Sequence, residues 1–194
     1  MSSEDIKIEK IKIDKRIEKT KRLLKNALIE LLKVEDIKKI SVCEITKKAN
    51  INRGTFYLHY VDICDLVDQI EDEVFNDLSN IVSKNIKHME AGEYYYPIIE
   101  VATYAKANKD FFKVITSENG DLNFEKKVKK AMMNIFDEYG EKIKREIPDV
   151  ATRKAYTSFM ISGSLGSFIA WINDDCAYPA AKIIRDLVNL FSRK

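Results

Sequence analysis

Six Gly and three Pro are all the chain breakers in 194 residues, and that scarcity limits the fold more than any other feature. An all-β chain of this size needs such residues at its hairpins, because Gly takes the left-handed turn conformations and Pro fixes bends. Their shortage, together with abundant Lys, Glu, Ile and Leu, points to an all-helical chain. The residues are 45% hydrophobic and 33% charged, a globular balance, and the length suffices for one large core or two small ones.

Apolar spacing supplies the order of elements. Residues 1–13 alternate Ile with Lys and Glu and read as a flexible arm. From Arg16 to Lys33, Ile17, Thr20, Leu24, Ala27, Leu28 and Leu31 recur at three- and four-residue intervals, which predicts an amphipathic helix with a basic outer face. Val34 to Ile40 is a polar connection with Ile37 and Ile40 as inward anchors. Ser41 and Glu44 form an S-x-x-E capping box that opens a short helix with Val42, Ile45 and Ala49 on its buried side. Asn50 tolerates the left-handed conformation that stops a helix sharply, and Asn52 can cap a second short helix, Arg53 to Tyr60. Two short helices joined by a tight turn and braced by a longer one follow the helix-turn-helix pattern.

Asp62 can cap a long helix whose stripe is Ile63, Leu66, Val67, Ile70, Val74, Leu78, Ile81 and Val82, with its end expected near Met89. Asp65, Asp68, Glu71, Asp72 and Asp77 read as its solvated face. Further helices are expected at about 93–107, 109–117, 122–146, 150–173 and 179–192, about nine in all. No internal repeat is evident.

Several classes of function fall away. Cys43, Cys64 and Cys176 are odd in number and form no C-x-x-C pair, which argues against a disulfide scaffold or a zinc finger; Cys43 and Cys64 read as small residues at a core edge. His59 has only His88 for company, so no metal site and no cofactor are expected. The amino terminus lacks a signal-peptide pattern, and Ala155–Ile172, uncharged but rich in Ser and Gly, reads as a buried helix rather than a membrane span. A cytoplasmic chain is expected. No G-x-S-x-G elbow, Walker loop or H-E-x-x-H occurs, so no enzyme is expected. Charge is divided: residues 1–60 hold fifteen Lys/Arg against nine Asp/Glu, while the remainder holds eighteen against twenty-two. A basic front suits a polyanion.

The stretch Arg53-Gly-Thr-Phe-Tyr-Leu-His-Tyr60, with the capped helix before it, resembles the amino-terminal domain of the TetR family of transcriptional regulators over about residues 16–66. Independently, Arg53 begins the second short helix, the end that meets bases in this motif, and its fork suits guanine O6 and N7. Gly54 would let the backbone approach DNA closely, and Thr55 suits a phosphate or a thymine methyl. The helix opened by Ser41 offers a phosphate site at its amino end. The resemblance implies phosphate contacts from Tyr57 and His59, a place near the backbone for Lys47, and inward positions for Phe56 and Tyr60. Asn52 to His59 would then lie in the major groove. Two departures stand out: Asn50 where the family often has Gly, and Ile63 where it commonly places a phosphate-binding Lys.

The resemblance also implies a DNA-binding domain at 14–62 and an effector-binding and dimerisation domain at 63–194, with 63–89 as the connecting helix. A small apolar effector would find Tyr104, Phe111, Phe112, Met132, Phe136, Tyr156 and Phe159 as candidate lining. For a homodimer, Ser158, Ser162, Gly166 and Ala170 repeat small residues every four positions, and Leu165, Ile169, Ile184, Leu187, Val188 and Phe191 add apolar surface. The expectation is a repressor of a roughly palindromic double-stranded operator, released by its effector. The alternative is an adaptor whose back domain binds a partner protein, with weak DNA binding.

Overall fold

The computed structural model describes residues 3–91, 93, 95–139, 145–182 and 185, with side chains from residue 15 onward. Among these the chain is all-α, with nine α-helices, one 3-10 turn and no strand. It forms two compact units that divide inside a helix, after Asp72.

The first unit begins with α1 (Ser3–Leu32), a 30-residue helix. Residues 3–13, which the sequence reading assigns to an arm, are helical and belong to α1. No Gly or Pro interrupts it, and Ile6, Ile13 and Ile17 fall in helical register with Leu24. Leu24, Ala27, Leu28 and Leu32 are buried. A 3-10 turn (Ile37–Lys39) leads to α2 (Val42–Ala49) and α3 (Arg53–Tyr57), followed by α4 (Ile63–Lys84). Ile45, Ala49, Phe56, Tyr60, Leu66, Val67 and Ile70 complete this small core. Glu71, expected in solvent, is buried because it sits one turn after Val67 on the inward stripe.

The helix expected to run to Met89 is broken at Asn85. Its N–H bonds Val82 O, a three-residue step, while its side-chain amide donates to Ile81 O at 2.9 Å. Asn competes for local backbone groups in this way and favours helix ends. The second unit continues with α5 (Ile86–Glu90), α6 (Tyr95–Ala107), α7 (Lys109–Ile115), α8 (Phe124–Tyr139) and α9 (Val150–Asn173). Of the helix expected at 179–192, only 180–182 and 185 are described, as helical.

Aromatic rings fill the second core in a connected series. Phe124 lies 5.7 Å from Phe75, 6.2 Å from Phe111 and 6.3 Å from Phe112, centroid to centroid; Phe168 follows at 6.0 Å from Phe112 and 6.0 Å from Trp171. The turn between α7 and α8 requires Gly120, where a Cβ would come within 2.2 Å of Ile115 O. Asp149 caps α9 by accepting from Thr152 N at 2.7 Å. Cys43 and Cys64 are exposed rather than at a core edge, and Cys176 is buried. Among the described residues no helix is long and apolar enough to cross a membrane.

Candidate nucleic-acid interface

The helix-turn-helix is built from local bonds that its sequence dictates. Ser41 Oγ accepts from Glu44 N at 3.2 Å, and the Glu44 carboxylate accepts from Ser41 N at 2.9 Å and from the Ser41 hydroxyl at 2.6 Å. Those bonds, the hydroxyl's first, hold the Glu44 carboxyl below the usual carboxylate range. At the other end of α2, Asn50 sits at φ 53° and ψ 48°. Its N–H reaches Lys47 O at 3.2 Å, and Ile51 N reaches Thr46 O at 3.0 Å. This pair of bonds is a Schellman stop, made here with Asn in place of Gly. Asn52 then caps α3 through Gly54 N at 2.7 Å.

The ordered turn fixes which side chains of α3 face inward. Phe56 is 0% exposed and stands 5.6 Å from the ring of buried Tyr60. Arg53, Gly54 and Tyr57 are exposed, as are Asn52, Ser41 and Lys47, while Thr55 and His59 are half-buried. Regular α3 ends at Tyr57, earlier than Tyr60, although His59 N and Tyr60 N both still bond Phe56 O. One feature was not foreseen from sequence. Arg53 Nη2 donates to the Tyr57 hydroxyl at 3.0 Å, with the guanidinium carbon 5.5 Å from that ring. The bond raises the pKa of Arg53 further. Their i, i+4 spacing was the available signal. Leu58, just beyond, is 80% exposed.

The start of α4 has the opposite chemistry. Ile63 is buried, and two carboxylates complete the cap: Asp62 accepts from Asp65 N at 2.9 Å, and Asp65 accepts from Val61 N at 2.8 Å. The backbone bond to Val61 and then the Gln69 amide keep the Asp65 carboxyl below its ordinary range. Negative groups suit a helix amino end, but they leave no cation there for a phosphate.

In the second unit, three of the candidate effector residues, Tyr104, Phe111 and Phe112, are brought together. Phe111 and Phe112 are buried in the ring cluster. Tyr104 is half-buried, 6.3 Å from Phe112, and donates to Asp77 at 3.0 Å; burial and that bond push its pKa well up. Met132 and Phe136 are half-buried on α8. Tyr156 and Phe159 point outward instead, 41% and 60% exposed. The phase of α9 decides this, because Thr157, Ile161, Leu165 and Ile172 define its inward face. Leu165 is thus committed to the intrachain core and withdrawn from the surface expected for a dimer. Ser158, Ser162, Gly166 and Ala170 are exposed, Ile169 is half-buried, and Ile184, Leu187, Val188 and Phe191 lie outside the described residues. A Cβ added at Gly163 or Gly166 would meet nothing within 4 Å.

Among the described residues no three His, Cys, Asp or Glu side chains converge as they would around a metal ion. Residues 92–193, more than half the chain, match the TetR family model for the transcriptional regulator C-terminal region. Over 176 residues the chain is 23% identical to YxbF, an uncharacterized HTH-type transcriptional regulator of Bacillus subtilis (strain 168), covering 88% of this chain and 44% of that protein. The chain therefore spans less than half the length of that curated relative. Two solved structures share the fold. The fatty acid degradation regulator FadR from Bacillus halodurans superposes with a TM-score of 0.65 at 17% identity. The dihydroxyacetone kinase operon activator DhaS does so with 0.57 at 19%. Each covers 88% of this chain and 93% of the other.

Proposed function

The chain belongs to the TetR family of transcriptional regulators, and on that basis we propose that it is a homodimeric, cytoplasmic repressor that reads double-stranded DNA with α2 and α3. The observation that carries this reading is the two-sidedness of α3. Phe56 anchors it at 0% exposure while Arg53, Gly54 and Tyr57 face solvent from a helix only five residues long. Arg53 takes the base-reading role, and Ser41 with the α2 amino end, Lys47, Tyr57 and His59 take phosphates. Asn52 and Thr55 flank them.

The exposed face of α9 supports a dimer. Ala155, Tyr156, Phe159, Ser162, Gly163, Gly166 and Ala170 give it no charge, and small residues there permit close helix approach. Two-fold symmetry then calls for a roughly palindromic operator. The half-buried apolar side of α8, with Met132 and Phe136, favours a small apolar effector. Such a ligand would release DNA by favouring a subunit spacing that misfits two half-sites, a population shift that needs no chemical turnover. A competing reading, an adaptor with weak DNA binding, is favoured by buried Ile63 and the two carboxylates beside it.

Selection of duplexes from a random pool, run with wild type and Arg53→Ala at near-physiological salt, tests the proposal. Wild type should recover a palindrome, and the variant should lose discrimination at one base position per half-site. Unchanged preference in Arg53→Ala would remove Arg53 from base reading. No enrichment by wild type, together with a stoichiometric protein partner retained without DNA, would favour the adaptor.

A further inference from the structure

α1 is longer than its core requires. Its 30 residues extend about 45 Å at 1.5 Å per residue, yet no side chain from Lys15 to Leu23 is buried, and burial begins at Leu24. On the face opposite Leu24 and Leu28, Lys15, Lys19 and Arg22 recur at helical spacing, all exposed. Glu18 flanks the row, but Lys15, Lys19 and Arg22 form no ion pair among the described residues.

We propose that this row is a second phosphate-binding surface, which follows the backbone of the same DNA outside the bases that α3 reads. The inference rests on the DNA-reading role proposed above. Its charge spacing fits: from Lys15 to Arg22 the helix rises about 10 Å, the axial rise over which one strand of B-DNA presents about three phosphates. Its location fits as well, because the row belongs to the same compact unit as Arg53 and Tyr57. It also replaces what the start of α4 lacks, where buried Ile63 and two capping carboxylates offer phosphate no cation. A lipid surface is the poorer match. Helices that lie on membranes expose a large apolar face, and no large hydrophobic residue is exposed between Lys15 and Lys33.

The test uses the full chain carrying Lys15→Gln, Lys19→Gln and Arg22→Gln together, since Gln retains helix propensity. A second variant, Lys126→Gln, Lys129→Gln and Lys130→Gln, changes the net charge equally in the other unit. Affinity for a random duplex and for the selected operator is followed across a salt series, with circular dichroism to verify helix content. For the α1 variant, the plot of log K against log salt should become shallower by about 2 to 3 for each subunit on the DNA, about 5 for the dimer, near 0.9 per lost phosphate contact. Its base preferences should stay unchanged, and the second variant should keep the wild-type slope. Equal slopes for all three proteins overturn the proposal, and so does an equal loss in both variants, which would reflect net charge alone. Binding to anionic vesicles that vanishes in the α1 variant, with DNA slopes unchanged, would assign the row to membranes instead. Failure of α3 reading is distinguishable, since wild type would then bind duplex without sequence preference while the slope change persisted.

Discussion

Two phenylalanines show how differently the two units use exposed surface. Phe56 on α3 is 0% exposed, and the side chains that α3 turns outward are polar or charged. Phe159 on α9 is 60% exposed, on a helix face with no charge at all. The first arrangement is a finished small core that presents donors. The second is an apolar and small-residue surface, of the kind that a second helix covers. Both are binding surfaces in the proposed function, but one recognises by placed hydrogen bonds and the other by closeness of approach.

The sharpest way to break that contrast is Gly166→Leu. Within one chain the new side chain meets open space, and replacing Gly inside a helix raises helix propensity by about 1 kcal/mol. Thermal stability of the isolated chain should therefore hold or rise. Across a close-packed helix pair, the added bulk should cost about 1–3 kcal/mol, or about fivefold to 150-fold in dimer affinity. Sedimentation at graded concentration reads the effect. A variant that dimerises as wild type does would remove this face from the interface.

A smaller effect separates the two units at their helix caps. Ser41→Ala should destabilise the first unit by about 1 kcal/mol, seen as a lower urea midpoint, and should weaken DNA binding because it disorders the start of α2. Asp149→Ala removes the corresponding cap of α9 and should leave the DNA affinity of a given dimer unchanged. The Ser41 effect is pH-dependent with a definite sign. Because the Ser41 bonds depress the Glu44 carboxyl in the folded chain, its contribution is present above the unfolded carboxylate range and is lost as pH falls through the folded value. The gap between wild type and Ser41→Ala should therefore narrow in acid. A gap constant down to pH 3 would contradict the cap geometry.

The same comparison explains what was legible in the sequence. Ser41, Glu44, Asn50 and Asn52 act within three or four residues of themselves, so their bonds could be anticipated from spacing. The fold class needed only the helical period and the scarcity of breakers. Over residues 3–13 the helix was not legible, because Ile6, Ile8, Ile11 and Ile13 nearly alternate and hide the helical period. On α9 the helix was clear but its phase was not, since no charge marks the outer face. Leu165 consequently turned inward with Ile161, and Tyr156 and Phe159 turned out. The ring neighbours of Phe111 and Phe112, candidate lining for a ligand, were not legible either, because Phe124 and Phe168 are distant from them in sequence.

The smallest expected effect is also the most discriminating, because it tests whether hydrogen bonds on the α3 surface are coupled. Read as a phosphate contact alone, Tyr57 would weaken all sequences alike when changed to Phe. The bond from Arg53 to the Tyr57 hydroxyl changes that expectation. Tyr57→Phe keeps the ring near the guanidinium but removes the acceptor that orients it, so the base read by Arg53 should lose about threefold to tenfold in discrimination, the range for one hydrogen bond. Other positions should weaken only uniformly, through the lost phosphate contact. Competition binding against operators altered one base pair at a time separates the two components. If every altered operator keeps its wild-type ratio to the parent sequence, Arg53 is oriented by the DNA itself, and Tyr57 serves the backbone only. If the loss concentrates at the Arg53 position and Arg53→Ala abolishes the additional effect of Tyr57→Phe, the two side chains act as one reading unit set in place before DNA arrives.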